Sequence, residues 1–241
     1  MLDFTPKFGR LENPDERDAL FPVSAVLPEP NPFITEKYWW DGGWWGNQGE
    51  STHCVCYSWM HWLEDGPVVQ DAVIGPRAKP MFVPAALYRE LQIRDPWPGT
   101  NYPGTSVRTG AKVLNELGIV KEYRWATSSE EVAQTLLNLG PMVVGTKWTH
   151  DMAFPKGNGY IRPTGSNLGG HAYLLNGVDY TKKMFRIKNS WGRDWGKQGY
   201  AFISFEDFDS LLGMGGEAVI AFENKITVVP TFDKLSPPTS A

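Results

Sequence analysis

The sequence predicts an α+β fold in two lobes, the first mainly helical and the second rich in strands. Three observations predict it. Between about residues 52 and 139, apolar side chains recur at helical spacing. Beyond Pro141 the pattern changes to short aromatic or β-branched runs divided by Gly, Asn and Asp. The 241 residues suffice for one large domain or two small lobes, and no internal repeat is visible.

Residues 1–47 carry Pro14, Pro22, Pro28, Pro30 and Pro32, which break helices and predict an extended arm. Such an arm can cover a cleft, though packing along the back of the body is its more ordinary fate. A buried helix starts at Thr52 or His53 and runs to Leu63, with Val55, Trp59, Trp62 and Leu63 at helical spacing. Asp65-Gly66-Pro67 ends it. A second helix covers Pro84–Ile93. A third covers Val107–Leu117, with Val107, Ala111, Leu114 and Leu117 on one face and Gly118 as its stop. In the fourth, over 128–139, Ser128 and Glu131 form a capping box and Gly140-Pro141 closes the helix. Strands follow at Pro141–Trp148, His171–Tyr180, Met184–Lys188 and Gly199–Phe205, with a closing strand at Ala218–Val229. The expected division is an arm at 1–47, a helical lobe at 48–125, a strand-rich lobe at 126–229 and a loose tail at 230–241.

Composition excludes several classes. The net charge of −4, without any Lys/Arg run, leaves no electrostatic footprint for nucleic acid. No apolar stretch reaches the roughly 20 residues that span a bilayer. The first residues lack the basic start and apolar run of a signal peptide. The two cysteines, Cys54 and Cys56, stand one residue apart, where a bridge would be strained, so no disulfide framework is expected. That suits a reducing compartment, and a cytoplasmic or virion-associated location is the expectation. His53, Cys54 and Cys56 are too tightly spaced for a tetrahedral zinc site, so neither metal nor cofactor is expected.

The chemistry lies in two separated stretches. Gln48-Gly49 stand six residues before Cys54, and Gly170-His171-Ala172 are followed by Asn189-Ser190-Trp191-Gly192. A cysteine, a histidine and an asparagine in that order suit thiolate nucleophilic catalysis. Cys54 sits where a helix begins, and a helix N-terminus stabilises a thiolate. Cys56 lies about 200° further round at 3.6 residues per turn and is expected in the core. His171 follows the turn Asn167-Leu168-Gly169-Gly170 and serves as base, Asn189 orients its ring, and Trp191 covers that bond. Gln48 and the backbone N–H of Cys54 are placed to donate to an oxyanion.

These residues resemble the papain-like cysteine peptidases. The likeness rests on Gln48-Gly49, Cys54 with Tyr57-Ser58, Gly170-His171-Ala172, Lys188-Asn189-Ser190-Trp191-Gly192, Trp195-Gly196 and Gly199-Tyr200, and spans roughly residues 44–206. It implies a helical lobe, a β-barrel-like lobe and an active cleft between them. It further implies hydrolysis of polypeptide substrates through a thioester, with Cys54, His171, Asn189 and Gln48 as the catalytic set. Gly104, Gly170 and Trp191 are the implied substrate contacts, Gly104 within Tyr102–Ser106 replacing a glycine-rich groove wall.

The chain departs from the family pattern at Val55, where a tryptophan is usual, and at His53, where a small residue is usual. The two cysteines leave no family disulfides, and residues 1–47 are too few and too rich in proline for the family's long helical pro-segment, so a bacterial or phage-type relative is the expectation. His53 reads as a capping or surface residue, and His61 and His150 have no visible partners. Two rivals remain: a catalytically silent module within a larger assembly, and a thiol amidase acting on a non-protein amide.

Overall fold

The computed structural model describes residues 5–39, 44–68 and 83–224. Its elements in chain order are β1 (Glu36–Tyr38), α1 (Cys54–Asp65), α2 (Pro84–Arg94), α3 (Val107–Glu116), β2 (Val120–Ala126), α4 (Ser129–Asn138) and β3 (Met142–Thr149). Then come α5 (His150–Ala153), β4 (Asn167–Asp179), β5 (Met184–Lys188), β6 (Tyr200–Ser204), α6 (Phe205–Gly213) and β7 (Glu217–Glu223). Two 3-10 turns, Glu16–Leu20 and Val23–Ala25, lie in the arm.

The helices begin and end where local chemistry directs. Ser106 caps α3 by accepting from Thr109 N at 3.1 Å. Ser128 likewise accepts from Glu131 N at 3.3 Å, while the Glu131 carboxylate reaches back to Thr127 N at 2.7 Å, one residue earlier than in a strict capping box. Helix α1 is buried on almost every side. It lies so close to α3 that a Cβ at Gly110 would stand 2.1 Å from Trp59 Nε1.

The strands form one antiparallel sheet in the order β2-β7-β3-β4-β5-β6, with β1 paired to β4. Among the described residues it is open, with β2 and β6 at its edges, rather than a closed barrel. Side-chain alternation splits its central strands between two cores. Val143, Ala172, Leu174 and Val219 face the cluster of α1, α2 and α3. Val144, Tyr173, Leu175 and Ile220 face the cluster of α4 and α6. Both faces are covered, so β3, β4 and β7 read as continuous apolar runs.

Strands β1 and β2 and helices α5 and α6 lie outside the elements read from sequence, and Asn167–Gly170, read as a turn, opens β4 because it pairs with β3. Strand β2 begins before residue 126 yet pairs with β7, so the sheet reaches back into the stretch assigned to the helical lobe. The tail at 230–241 and the end of the expected closing strand lie outside the described residues.

Candidate active site

Cys54 is the first residue of α1, and its sulfur is fully buried beside the sheet. His171 lies on β4 and Asn189 just past β5. The antiparallel register, with Leu174 opposite Lys188, carries both to the same end of that ladder. His171 Nε2 and Asn189 Oδ1 are 2.8 Å apart, which fixes the ring. Among the described residues His171 Nδ1 has no hydrogen-bond partner, although it is buried. The backbone amides of Ala172, the residue after His171, and of Gly9 lie by the sulfur. Trp191 packs on the imidazole with centroids 4.9 Å apart, and Trp148 meets it edge-on at 4.7 Å. This aromatic wall keeps water off the His171–Asn189 bond.

Gln48 is held from both ends of its amide. Ser190 Oγ donates to Gln48 Oε1 at 2.7 Å, and Gln48 N donates to Ser190 O at 2.8 Å. That turns Nε2 outward, where it donates to Ser51 O at 2.8 Å and to Lys7 O at 3.0 Å. A second anchor ties the two halves together. Lys188 Nζ meets Asp65 Oδ1 at 2.8 Å with both side chains wholly buried, joining the end of α1 to the strand before Asn189.

Lys7 belongs to the arm, and the arm runs through the cleft rather than along the back of the body. Phe8 packs edge-on against His171 and Trp191, with centroids 5.9 and 6.1 Å away. Arg10 N donates to Gly170 O, Thr105 N donates to Gly9 O, and Leu11 N donates to Thr105 O, each at 2.9 Å. The arm thus lies as a strand between two walls, parallel to Thr105. Gly104, Gly170 and Trp191 all touch it. A Cβ would stand 2.6 Å from Gly9 O at Gly104, and 2.1 Å from Arg10 O at Gly170.

Burial sets the protonation states of the two groups. It pushes the Cys54 thiol up, opposed by the amides around the sulfur, and pushes Cys56 up further. His171 is brought down to about 4 by burial, with the bond to Asn189 acting the other way. Both members are therefore neutral near pH 7, and the helix N-terminus alone does not make Cys54 a thiolate here.

Cys56 sits in the helical core, as expected. His53 stacks on Tyr88 at 4.1 Å and makes no cap bond. His61 has a partner the sequence did not reveal: its Nε2 accepts from Gly46 N at 3.2 Å. His150 bonds Asp151 at the surface. Phe8, Gly9, Arg10, Tyr88 and Ser190 escaped the sequence reading. Only Ser190 carried a signal, its place beside Asn189.

With that geometry in place, likeness to known proteins assigns the family. Residues 92–221, more than half of the chain, match the papain family cysteine proteases. The chain belongs to that family. The matched span holds His171 and Asn189, while Cys54 and Gln48 lie before it. A cysteine protease of Blomia tropicalis is 32% identical over 91 residues, 34% of this chain and 26% of that protein. Mexicain of Jacaratia mexicana is 34% identical over 83 residues, 34% of this chain and 37% of that protein. The chain thus spans only about a quarter to a third of the length of these curated relatives. Among solved structures, xylellain, a cysteine protease from Xylella fastidiosa, superposes with a TM-score of 0.66. The match covers 93% of this chain and all of that one at 20% identity, and so shows a shared fold.

Proposed function

We propose that the chain is a cysteine peptidase, and that the described form is its closed state. The observation that carries this reading is the buried His171–Asn189 pair, with Nδ1 left without a partner and the backbone amide of the next residue, Ala172, by the sulfur of a cysteine at a helix start. Cys54 Sγ attacks the carbonyl carbon of a peptide bond while His171 Nδ1 takes the thiol proton. The oxygen, now negative, rests on Gln48 Nε2 and the backbone N–H of Cys54. A peptide carbonyl, that of Lys7, already occupies the Gln48 amide. His171 passes its proton to the leaving amine as the C–N bond breaks, leaving a thioester. Water, deprotonated by His171, then attacks the thioester and frees the acid and the thiol.

The arm must leave first, because the sulfur is buried and both groups are neutral beneath it. Departure returns water to the cleft, lifts the burial penalty on both charged forms and favours transfer of the thiol proton to His171. The same burial favours one rival, a silent module whose cleft stays plugged. Exposure to an epoxysuccinyl thiol-peptidase inhibitor, followed by intact mass and peptide mapping, separates the two. The peptidase reading expects one adduct, on Cys54, dependent on His171 and unaffected by Cys56→Ala. Turnover of a protein substrate is expected to vanish in Cys54→Ala. No adduct, or equal slow labelling of both cysteines, favours the silent module. Cleavage of a cell-wall amide but of no peptide bond favours the amidase.

A further inference from the structure

We propose that Tyr88 is a positioning residue of this site: its hydroxyl fixes the groove wall at residues 102–105 relative to the loop that delivers Cys54. The inference rests on the peptidase reading and deepens it. Its evidence is a junction of hydrogen bonds on one face of α2.

Tyr88, Gln92 and Asp95 follow one another at helical spacing and so share a face. That face grips the wall. Gly104 N donates to Tyr88 Oη at 2.6 Å, Gln92 Nε2 donates to Tyr102 O at 2.7 Å, and Thr105 Oγ1 donates to Asp95 Oδ2 at 2.8 Å. Tyr102 Oη donates to the other oxygen of Asp95. Gln92, Asp95 and Thr105 are buried. Both cysteines are free, so these bonds rather than a disulfide fasten the wall.

The Tyr88 hydroxyl also reaches beyond the wall. Its oxygen accepts from Gly104 N and, at 3.1 Å, from Gln92 Nε2, which fills both lone pairs. Its own proton then goes to Thr52 Oγ1, 3.1 Å away. Thr52 stands two residues before Cys54, and the ring of His53, one residue before it, packs on the Tyr88 ring. The loop from Gln48 to Cys54 is therefore held on two sides. Ser190 fixes its start to the segment after β5, and Tyr88 fixes its end to the groove wall.

The work of the wall gives this junction its consequence. Thr105 bonds the main chain of the peptide in the groove, at Gly9 O and Leu11 N of the arm, while Lys7 O rests on the Gln48 amide. A substrate held at both places is positioned by the distance between Thr105 and Cys54. A shift of the wall moves the substrate carbonyl off the sulfur, and misplacement of that kind slows the chemistry more than it weakens binding. Cys54 and Gln48 keep their own anchors, in α1 and at Ser190. A substrate too short to reach Thr105 is therefore indifferent to Tyr88.

The test uses full-length Arg10→Ala, which removes the bonds of the arm to Glu217 and Gly215 O, as the background for Tyr88→Phe, Thr52→Val and both together. Phenylalanine keeps the ring against His53, and valine keeps the shape of threonine. Each variant is assayed on a fluorogenic tetrapeptide amide and on an N-acetyl amino acid ester. Each substitution is expected to lower kcat for the tetrapeptide by roughly 3- to 10-fold, the range of one hydrogen bond, with KM nearly unchanged. Turnover of the ester is expected not to change. The two substitutions together are expected to lose no more than Tyr88→Phe alone, because they break the same junction. Equal losses on both substrates, a loss confined to KM, additive losses or no loss overturns the proposal.

If the background cleaves no peptide, the peptidase reading fails, and the junction is then judged by the arm itself. Thr105 holds the arm over Cys54. Tyr88→Phe in the otherwise unaltered chain is therefore expected to speed iodoacetamide labelling of Cys54 by roughly 3- to 10-fold, with Cys56 unchanged. An unchanged rate at Cys54, or an equal rise at both cysteines, overturns the proposal. Thr52→Val carries the same expectation and replaces Tyr88→Phe if the latter does not fold.

Discussion

Replacing Gly9 with valine tests whether the arm alone shields the nucleophile. The arm passes so near the loop before α1 that a Cβ at Gly9 would stand 2.0 Å from Thr52 O and 2.7 Å from Thr52 C. Those are backbone atoms of a packed loop, so the arm must lift. Overpacking of this kind costs about 1–3 kcal/mol. Opposing it are the bonds donated by Arg10 N, Leu11 N, Thr105 N and Gln48 Nε2, which fasten the arm to the walls. At about 0.5–1.5 kcal/mol each, they hold the arm by roughly 2–6 kcal/mol. The valine therefore offsets part of the closing free energy, to which the bonds of the Arg10 side chain to Glu217 and Gly215 O also contribute, and raises the open population roughly 5- to 150-fold.

Iodoacetamide labelling, read by peptide mass mapping, measures this opening, because alkylation of a buried thiol follows its exposed population. Cys56 is the internal control, since it is wholly buried in the helical core two residues away. Local lifting exposes Cys54 alone, whereas global unfolding exposes both. The expected result is a roughly 10- to 100-fold faster reaction at Cys54 with Cys56 unchanged, within the opening range. An unchanged rate at Cys54, or a parallel rise at both cysteines, would refute the reasoning.

Lys188→Met leaves the Asp65 carboxylate in the core without its cation and should cost about 3–5 kcal/mol in urea unfolding. Lys188→Met with Asp65→Leu should recover much of that loss. Ser190→Ala frees the Gln48 amide to rotate and should lower kcat by about 2- to 10-fold with little change in KM, in steady-state assays of an arm-opened variant. The pH dependence follows from His171. Its folded pKa of about 4 lies below the ordinary histidine value of 6.5, so the unfolded or opened chain binds the proton more readily. That contribution to stability is complete above pH 6.5 and falls through pH 4, by up to about 3 kcal/mol. Unfolding midpoints from pH 7.5 to 4 should show this acid limb flattened in His171→Gln, and an equal limb in both proteins would contradict it.

The catalytic candidates are legible in the sequence because each needs a particular residue type at a particular spacing. Cys54 at a helix start, His171 after a glycine pair and Asn189 before Ser-Trp-Gly mark themselves as candidates in a few letters. Helices α1 to α4 and strands β3 to β6 were legible for a similar reason, since their caps, stops and apolar periods lie within the segment itself. Strands β1 and β2 were not, because partners far along the chain make them strands. The path of the arm was hidden most deeply. Its prolines predict an extended chain, but extension does not say which surface is covered. That depends on a groove assembled from Thr105, Gly170 and Gln48, 65 residues or more apart in pairs except for Gln48 and Thr105. Likewise, Arg10 and Glu217 are 207 residues apart, and no local pattern pairs them. Sequence alone determined which groups are candidates for the chemistry, because identity and short spacing mark them. Tertiary structure decided whether those groups are exposed, charged and free to act, because burial and long-range pairing arise only when the chain closes on itself.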